Sequence, residues 1–557
     1  MSLIASTPVA RMTGPYPRRW WALLVLCLSL LVIVMANTSL IVAAPAMTRD
    51  LHLSSSDLQW VIDGYTVPYA ALMLALGAVG DKFSRRGALL AGLLIFGAGS
   101  VAGFLVHSVA AVITARAVMG VGAAVIMPAT LSLLVATFPR AERARAITAW
   151  SATSGLAIAL GPLIAGWLLQ SYSWHSTFLI NVPIAGVAII AALLLVPPSR
   201  ARGMGRPDVV GGLLSVIWVG ALVYMIIEGP SFGWGRNAIA AAVIAAAGLA
   251  VFVAWELHYP QPMLNLAKFR DRSFTGAVLA VLMFFLGAFG TLYYATQHLQ
   301  FVLGYSPLAT GERLLPLAAA VFIGAAITGW LTPRLGMKPV VVIGMALGTA
   351  GIFLLTRVGD GSTYTSFLPT LILLGLAIGL STAPATDTIM GAFPEAELGV
   401  GGGTNDTALE LGGALGIAVL GSVLATTYKS TLGTALAGTR HSAPPWPAAA
   451  LSTAKESIGG ALAVAQQVAH DPAGGPLQAH ALVSAADHAF AHAVSHTSLI
   501  GGIILAVGTV LVTLILPGRR PARSVPEPQE ASAAPDRATG SVPFASNGSG
   551  PQIRSTR

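Results

Sequence analysis

The sequence predicts an all-α polytopic membrane protein of fourteen transmembrane helices, and three observations point that way. Apolar runs of about 18 residues or more, the length a helix needs to cross a hydrocarbon core, recur along nearly the whole chain. Only 10% of the 557 residues are charged against 55% hydrophobic, with a mean hydropathy of +0.76, which excludes an ordinary soluble domain. The basic residues behind the net charge of +9 lie in short clusters between the runs rather than on one surface. That pattern orients a membrane protein and argues against nucleic acid as a partner.

Spans are predicted at 20–45, 58–79, 87–106, 110–136, 147–169, 178–197, 209–228, 237–256, 274–300, 310–331, 339–357, 365–390, 400–426 and 497–517. The first follows Arg18-Arg19, is longer than a signal-peptide core, and reads as a retained span after a cytoplasmic segment 1–19. With that segment inside, the cytoplasmic turns collect most of the Lys and Arg, among them Lys82, Arg85, Arg86, Arg143, Arg145, Lys268, Arg270, Arg334 and Lys338. The short outer loops hold only Arg49, Arg236, Arg313 and Arg357, so both termini are expected in the cytoplasm. Arg outnumbers Lys and Ala is abundant, which fits a bacterial inner membrane.

Two stretches fall outside the bilayer. Residues 427–496 form an Ala-rich outer loop with Pro444-Pro445-Trp446-Pro447 near its start, and its segments 451–469 and 477–495 read as a helical hairpin on the outer face. Residues 518–557 are rich in Pro, Ser, Ala and Gly and read as a disordered tail. His488, His492 and His496 share one helical face but have no Cys and few acids beside them, so they read as a solvated face. No metal site or cofactor is expected. The single cysteine, Cys27, can make no intramolecular disulfide.

Chemistry is expected where carboxylates interrupt apolar helix. Asp387 lies in the last turns of one span, and Asp406 and Glu410 sit i, i+4 on one face of the next. A charge at the bilayer centre costs roughly 2.5–3.5 kcal/mol, so each must be protonated, paired or face a wet cavity. Close carboxyls held away from water can exchange protons at physiological pH. Asp63 in span 2 sits near the outer end, where a capping or solvated role competes with a coupling role. Arg116 in span 4 is deep and needs a partner, either in proton transfer or in a fixed ion pair. An aromatic cavity is expected around Tyr65, Phe289, Tyr293 and Tyr294, with Glu312 at an outer span end able to attract a cation.

Between spans 2 and 3 stands Gly80-Asp81-Lys82-Phe83-Ser84-Arg85-Arg86. Glycine is expected to serve the tight turn, while Asp81, Lys82, Arg85 and Arg86 pair with neighbouring helix ends in a state-dependent clamp. Span 5 carries Gly155, Gly161-Pro162 and Gly166, small residues that let helices approach and a proline that permits a bend.

The first stretch, with Gly77 ahead of it, resembles the Gly-x-x-x-Asp-(Arg/Lys)-x-Gly-Arg-Arg signature of the major facilitator superfamily, with Ser84 in place of the second glycine. A weaker echo, Thr332-Pro333-Arg334-Leu335-Gly336-Met337-Lys338, stands between spans 10 and 11. The span 5 glycines resemble the antiporter motif of that superfamily's exporters. With Trp174-His175-Ser176-Thr177-Phe178, Gly304-Tyr305-Ser306-Pro307 and Asn405-Asp406-Thr407, the chain resembles the fourteen-span drug:proton antiporters, which include quaternary-ammonium and methyl-viologen exporters. The resemblance implies the major facilitator fold: six-helix bundles at 20–197 and 274–517 with an inserted pair at 209–256. It also implies a role for Arg116 in proton transfer. The family's span 1 Asp is Ala36 here, and the arginine many members carry before the span 13 acid is Leu409.

The expected function is proton-coupled efflux of amphipathic, cationic hydrophobic drugs by alternating access, from a monomer whose partners are the drug, protons and membrane lipid. The alternative is export of a lipid or a single endogenous metabolite or antibiotic in the same fold. An enzyme or ATP-driven pump lacks support, since Lys429-Ser430 follows Tyr428 outside any Gly-rich phosphate loop.

Overall fold

A computed structural model describes residues 16–200, 208–231, 234–260, 262–393, 398–438, 448–469 and 475–518. All regular structure among them is helical, as lipid requires of a chain that must satisfy its backbone groups within each segment. Among the described residues thirteen helices are long and apolar enough to cross a membrane. They are span 1 (Arg19–Leu51), span 2 (Ser55–Phe83), span 3 (Arg85–Leu105), span 4 (Val109–Thr137), span 6 (Ser176–Leu195), span 7 (Val209–Gly229), span 8 (Arg236–His258) and span 9 (Arg272–Val302), followed by span 10 (Pro307–Leu335), span 11 (Met337–Arg357), span 12 (Tyr364–Gly391), span 13 (Leu398–Gly438) and span 14 (Gly475–Ile515). Span 5 (Arg140–Ser171) completes the set. Its 32 residues open on a charged turn with Glu142 and Arg143 before the apolar stretch begins. Count and order match the sequence reading. The helix ends carrying Asp81 and Arg334 are called the basic end below, and the opposite ends the far end.

Local sequence explains several boundaries. Ser54 and Asp57 form a reciprocal capping box that opens span 2. Span 2 passes into span 3 through the single residue Ser84, which adopts an extended φ of −168° and whose Oγ accepts the Gly87 N–H at 3.0 Å. Extended backbone admits any residue. Gly80 is therefore helical rather than part of a turn, contrary to expectation, and its missing side chain serves close packing on Ala88. Span 9 ends in a π-turn, His298–Val302. Gly304 follows with φ +68°, a conformation that favours glycine, and Ser306 then caps the start of span 10.

Spans 1–6 pack among themselves through the pairs 1–5, 2–4, 3–4 and 3–6, and spans 9–14 through 9–13, 9–14, 10–12, 11–12 and 11–14. The two largest contacts between the halves are made by spans 2 and 5, beside smaller ones of span 4 with span 13 and of span 1 with span 9, where Gln300 donates to the Val42 carbonyl at 2.9 Å. Span 2 lies along span 13 from Gln59 beside Gly421 to Leu74 beside Gly403, and span 5 meets span 10 at its far-end turn. Spans 7 and 8 pair with each other, and span 7 lies over the 2–13 contact through Val219, Val223 and Ile227 against Val67, Ala414 and Ala418.

The outer loop differs from the expected hairpin. Span 13 runs on to Gly438 and span 14 starts at Gly475, so 477–495 is the first half of a 41-residue helix rather than a separate arm. No glycine or proline interrupts it between Leu477 and Ile500. Two short helices, Ala448–Glu456 and Ile458–Ala469, fill the space between. They touch both halves: Ser55 Oγ donates to Glu456 O at 2.6 Å, Ser457 Oγ to Leu53 O at 3.2 Å and Tyr428 OH to Ala454 O at 3.1 Å. The histidine face is exposed, as expected: His488, His492 and His496 all lie at the surface, His492 and His496 at 3.4 and 3.2 Å from Thr431 and Thr427 Oγ1 and His488 at 2.7 Å from an Asp360 carboxylate oxygen. Residues 1–15, the prolines at 444–447 and the tail 519–557 lie outside the described residues.

Candidate functional site

Span 4 approaches span 2 closely because Gly120 leaves no room for a Cβ against the Tyr65 carbonyl. One turn earlier that approach delivers Arg116, fully buried, to the carbonyls of two spans. Its Nε donates to Val61 O at 3.1 Å, one terminal nitrogen to Ile62 O at 3.4 Å and the other to Ala36 O at 3.4 Å. The guanidinium lies 4.4 Å from the centre of the Tyr65 ring. Among the described residues Arg116 makes no ion pair, so the fixed-pair reading is corrected. Five fixed N–H donors are met by three carbonyls and an aromatic face.

Asp63 follows Ile62 and is also fully buried. Its Oδ1 accepts the Thr66 hydroxyl at 3.0 Å while Oδ2 has no partner. Since Ser54 and Asp57 cap span 2, Asp63 has no capping role, and the solvated reading fails on its burial. An orphaned buried oxygen of this kind costs about 1–3 kcal/mol unless a proton or cation meets it. Tyr293 of span 9 lies within Coulombic range of Asp63 across the seam.

Asp406 is 8% exposed, and its Oδ1 accepts Asn405 Nδ2–H at 3.0 Å. Asn405 Oδ1 in turn accepts the Thr386 hydroxyl of span 12 at 2.9 Å. Half-buried Glu410, one turn on, lies within Coulombic range of Asp406, Tyr65, Tyr69 and Arg116. Gly412 and Gly416 seat span 13 directly on the Leu282 and Leu286 carbonyls of span 9, and Phe289 packs on Gly413. This tight seating fixes the acid-bearing helix on span 9 within the second half.

Several expected members stand elsewhere. Asp387 is exposed on span 12, with no hydrogen bond or ion pair among the described residues. Helical geometry turns Thr386, its neighbour, toward span 13 instead. Tyr294 OH bonds Ser498 of span 14 at 2.9 Å and Thr291 at 3.3 Å, so this ring is structural within spans 9–14. Tyr65 is occupied by Arg116 on its face and by the Ile33 carbonyl on its hydroxyl. Glu312 is exposed at the far end. Two further features join the site beyond the residues expected from the sequence: the Thr386–Asn405 hydrogen bond, and Tyr69, whose ring lies 5.5 Å from that of Tyr65. The signal for Tyr69 was present, because it stands i+4 from Tyr65 on the same face.

The span 5 glycines divide between two tasks. Gly161 packs on Thr38 of span 1, whereas Gly166 lies on Leu308 and Pro307 of span 10, and Gly311 of span 10 lies on the Pro162 carbonyl. A small apolar cavity beside them is lined by Thr38, Ile41, Pro162, Leu292 and Thr296. Gly155 lies in the same helix. At the basic end Asp81 pairs with Arg85 at 2.6 Å, and Arg86 donates to Leu193 O at 2.8 Å at the end of span 6. Lys82 rests 5.7 Å from the Phe83 ring centre. The charged signature therefore does bind a neighbouring helix end, inside the first half.

Residues 26–417 match the family model described as Major Facilitator Superfamily. The chain is 31% identical to the multidrug efflux pump LfrA of Mycolicibacterium smegmatis, over 89% of this chain and 96% of that one. It is 30% identical to the methyl viologen resistance protein SmvA of Salmonella typhimurium, over 88% and 97%. A tetracenomycin C resistance and export protein of Streptomyces glaucescens is 35% identical over 76% and 78%. Among solved structures, the inward-facing, unoccupied bacterial homologue of the human lysosomal transporter Spinster superposes with a TM-score of 0.59 at 17% identity, covering 90% of this chain and 98% of that one. Helix count, the pairing of spans 2 with 13 and 5 with 10, and these likenesses agree: the chain belongs to the major facilitator superfamily, alongside its bacterial multidrug and antibiotic-resistance exporters.

Proposed function

We propose that this chain is a proton-coupled efflux antiporter of amphipathic, cationic hydrophobic compounds, working by alternating access in a bacterial cell membrane as a monomer. The basic end faces the cytoplasm, with both termini there, because the positive charge gathers at that end. One arrangement carries the reading. Asp63, Asp406 and Glu410 stand at the seam of the two bundles with Tyr69 and Tyr293 beside them, and none is neutralised by an ion pair among the described residues. Such acids can hold a proton or a drug cation but not both, so proton entry releases the drug. Arg116 positions Tyr65 and the backbone of spans 1 and 2, and the contacts of Gly166 with Leu308 and of Gly311 with Pro162 close the far end. The signature residues Gly80, Asp81, Lys82, Arg85 and Arg86 hold the basic-end turn of one state. The multidrug and methyl-viologen relatives support this substrate class.

A second reading, export of a single antibiotic, draws on Ala36, which removes an acid from the path, and on the tetracenomycin C relative. Inside-out vesicles carrying the protein test the two. A fluorescent lipophilic cation should accumulate when the vesicle interior is acidified and should dissipate the gradient as it enters. Absence of both effects would leave only the single-cargo reading.

A further inference from the structure

Asp208, at the start of span 7, and Glu256, in the last turn of span 8, lie at the basic end of the inserted pair, outside the site described above. Each is only 3% exposed. Asp208 Oδ1 accepts the Gly211 N–H at 2.7 Å and the Trp255 Nε1–H at 2.9 Å, and Glu256 Oε2 accepts the Leu264 N–H at 2.8 Å. The two remaining oxygens, Asp208 Oδ2 and Glu256 Oε1, have no hydrogen-bond partner. Both are aimed at one point: a Cβ built on Gly211 would lie 2.5 Å from the first and 2.6 Å from the second. They face each other across space that only glycine leaves open.

The packed elements around the pair bring no compensating charge among the described residues. Span 2 presents Leu74 and Ala75, the linker Met263, and span 8 its own Phe252 and Val253. His258 is exposed, with Nδ1 on the Ala254 carbonyl, and Tyr259 stacks on Trp255. Lys268 reaches the Ala392 carbonyl and the Phe393 ring, Arg270 is exposed, and at the foot of span 2 Asp81 pairs with Arg85 while Lys82 rests on Phe83. Two ionised carboxylates facing one another away from water repel strongly, so something positive must lie between them. A hard metal cation takes six or more oxygen ligands. Only two oxygens are free here. A proton needs two.

We propose that Asp208 and Glu256 bind one proton between them, and that the resulting carboxyl–carboxylate hydrogen bond fastens span 7, span 8 and the linker ahead of span 9 into a single corner. The proton comes from solvent at the basic end. One carboxyl donates it to the other, leaving a single negative charge, which the Gly211, Trp255 and Leu264 N–H groups face. Raising the pH strips the proton, restores the repulsion and frees the anchor at Leu264.

The test uses the full-length protein in lipid nanodiscs, comparing wild type with Glu256→Gln and Asp208→Asn. Infrared difference spectra at neutral pH, wild type minus each variant, should show one protonated-carboxyl carbonyl band missing from both variants, since either change leaves a lone carboxylate accepting an amide N–H. Thermal melts should show a wild-type Tm that falls as pH rises. That fall should shrink in Glu256→Gln, whose amide proton cannot be removed. An unchanged band in both variants would overturn the proposal, as would the same pH-dependent fall in wild type and variant. So would a wild-type Tm raised by added Ca2+, Mg2+ or Na+ and not raised in the variants, which would mean a metal site. If Glu256→Gln does not fold, the band and the melt of Asp208→Asn decide alone.

Discussion

Gly166 of span 5 lies against the backbone of Leu308 in span 10, so close that a Cβ on the glycine would stand 2.6 Å from the Leu308 Cα. This contact joins the two halves at the far end, and Gly311 repeats it one turn away against the Pro162 carbonyl. Backbone cannot yield as a flexible side chain can. Gly166→Ala should therefore penalise the state closed at the far end by about 1–3 kcal/mol and leave other states unchanged. The expected result is far-end opening: a cysteine introduced at Thr296 in the neighbouring cavity should label several-fold faster with a membrane-impermeant reagent in Gly166→Ala. Equal labelling would show that the motif does not seal this end.

Ser84 caps span 3 with its side chain while its backbone is extended. Ser84→Ala should cost about 1 kcal/mol and Ser84→Gly only a few tenths, the ordering expected of an N-cap. Thermal melts of the purified protein check this. A glycine variant more stable than wild type would mean that the position wants turn freedom after all.

Ala36 accepts Arg116 through its carbonyl and offers no charge of its own. In the proposed mechanism Ala36→Asp adds a carboxylate beside the drug path. A gain of about 1 kcal/mol for a cation, the scale of a partly screened ion pair, is roughly five-fold. Export of a dication such as methyl viologen should rise by that order relative to a neutral drug, measured as a ratio of uptake rates in the same vesicles. An unchanged ratio would place Ala36 away from the cargo.

Arg116 should not tolerate loss of its planar fork. Arg116→Lys keeps the charge but cannot reach three carbonyls and cover the Tyr65 face together. Transport should fall at least ten-fold in Arg116→Lys and be lost in Arg116→Ala, with both proteins still inserted. Full activity in the lysine variant would reduce Arg116 to a point charge.

Much of this architecture was legible in the sequence, because apolar length and loop charge are local properties. Each predicted span has an apolar helix at its place, while helix ends run past the predicted bounds at Leu51, Gly438 and Gly475, and Gly80 lies in helix rather than in a turn. Less legible was anything that depended on helix rotation or on the partner of a long element. Asp387 and Thr386 are adjacent in sequence, yet only Thr386 faces span 13. Tyr293 and Tyr294 likewise point to different halves. The 477–495 segment had helical composition, but nothing local says that it continues into span 14. Arg116 stands out in the sequence because a charge in an apolar span is costly, while its carbonyl partners come from two other spans that only the close approach at Gly120 brings within reach.

In the proposed mechanism the acids of span 13 couple protons to drug. The most direct test of that coupling is uptake of a fluorescent lipophilic cation into inside-out vesicles, driven by an imposed pH gradient, for wild type, Glu410→Gln, Asp406→Asn and Asp387→Asn. Gradient-driven accumulation should be lost in Glu410→Gln and Asp406→Asn while drug-for-drug exchange without a gradient persists, and Asp387→Asn should retain most of the wild-type rate. Undiminished accumulation in both span 13 variants would contradict the account.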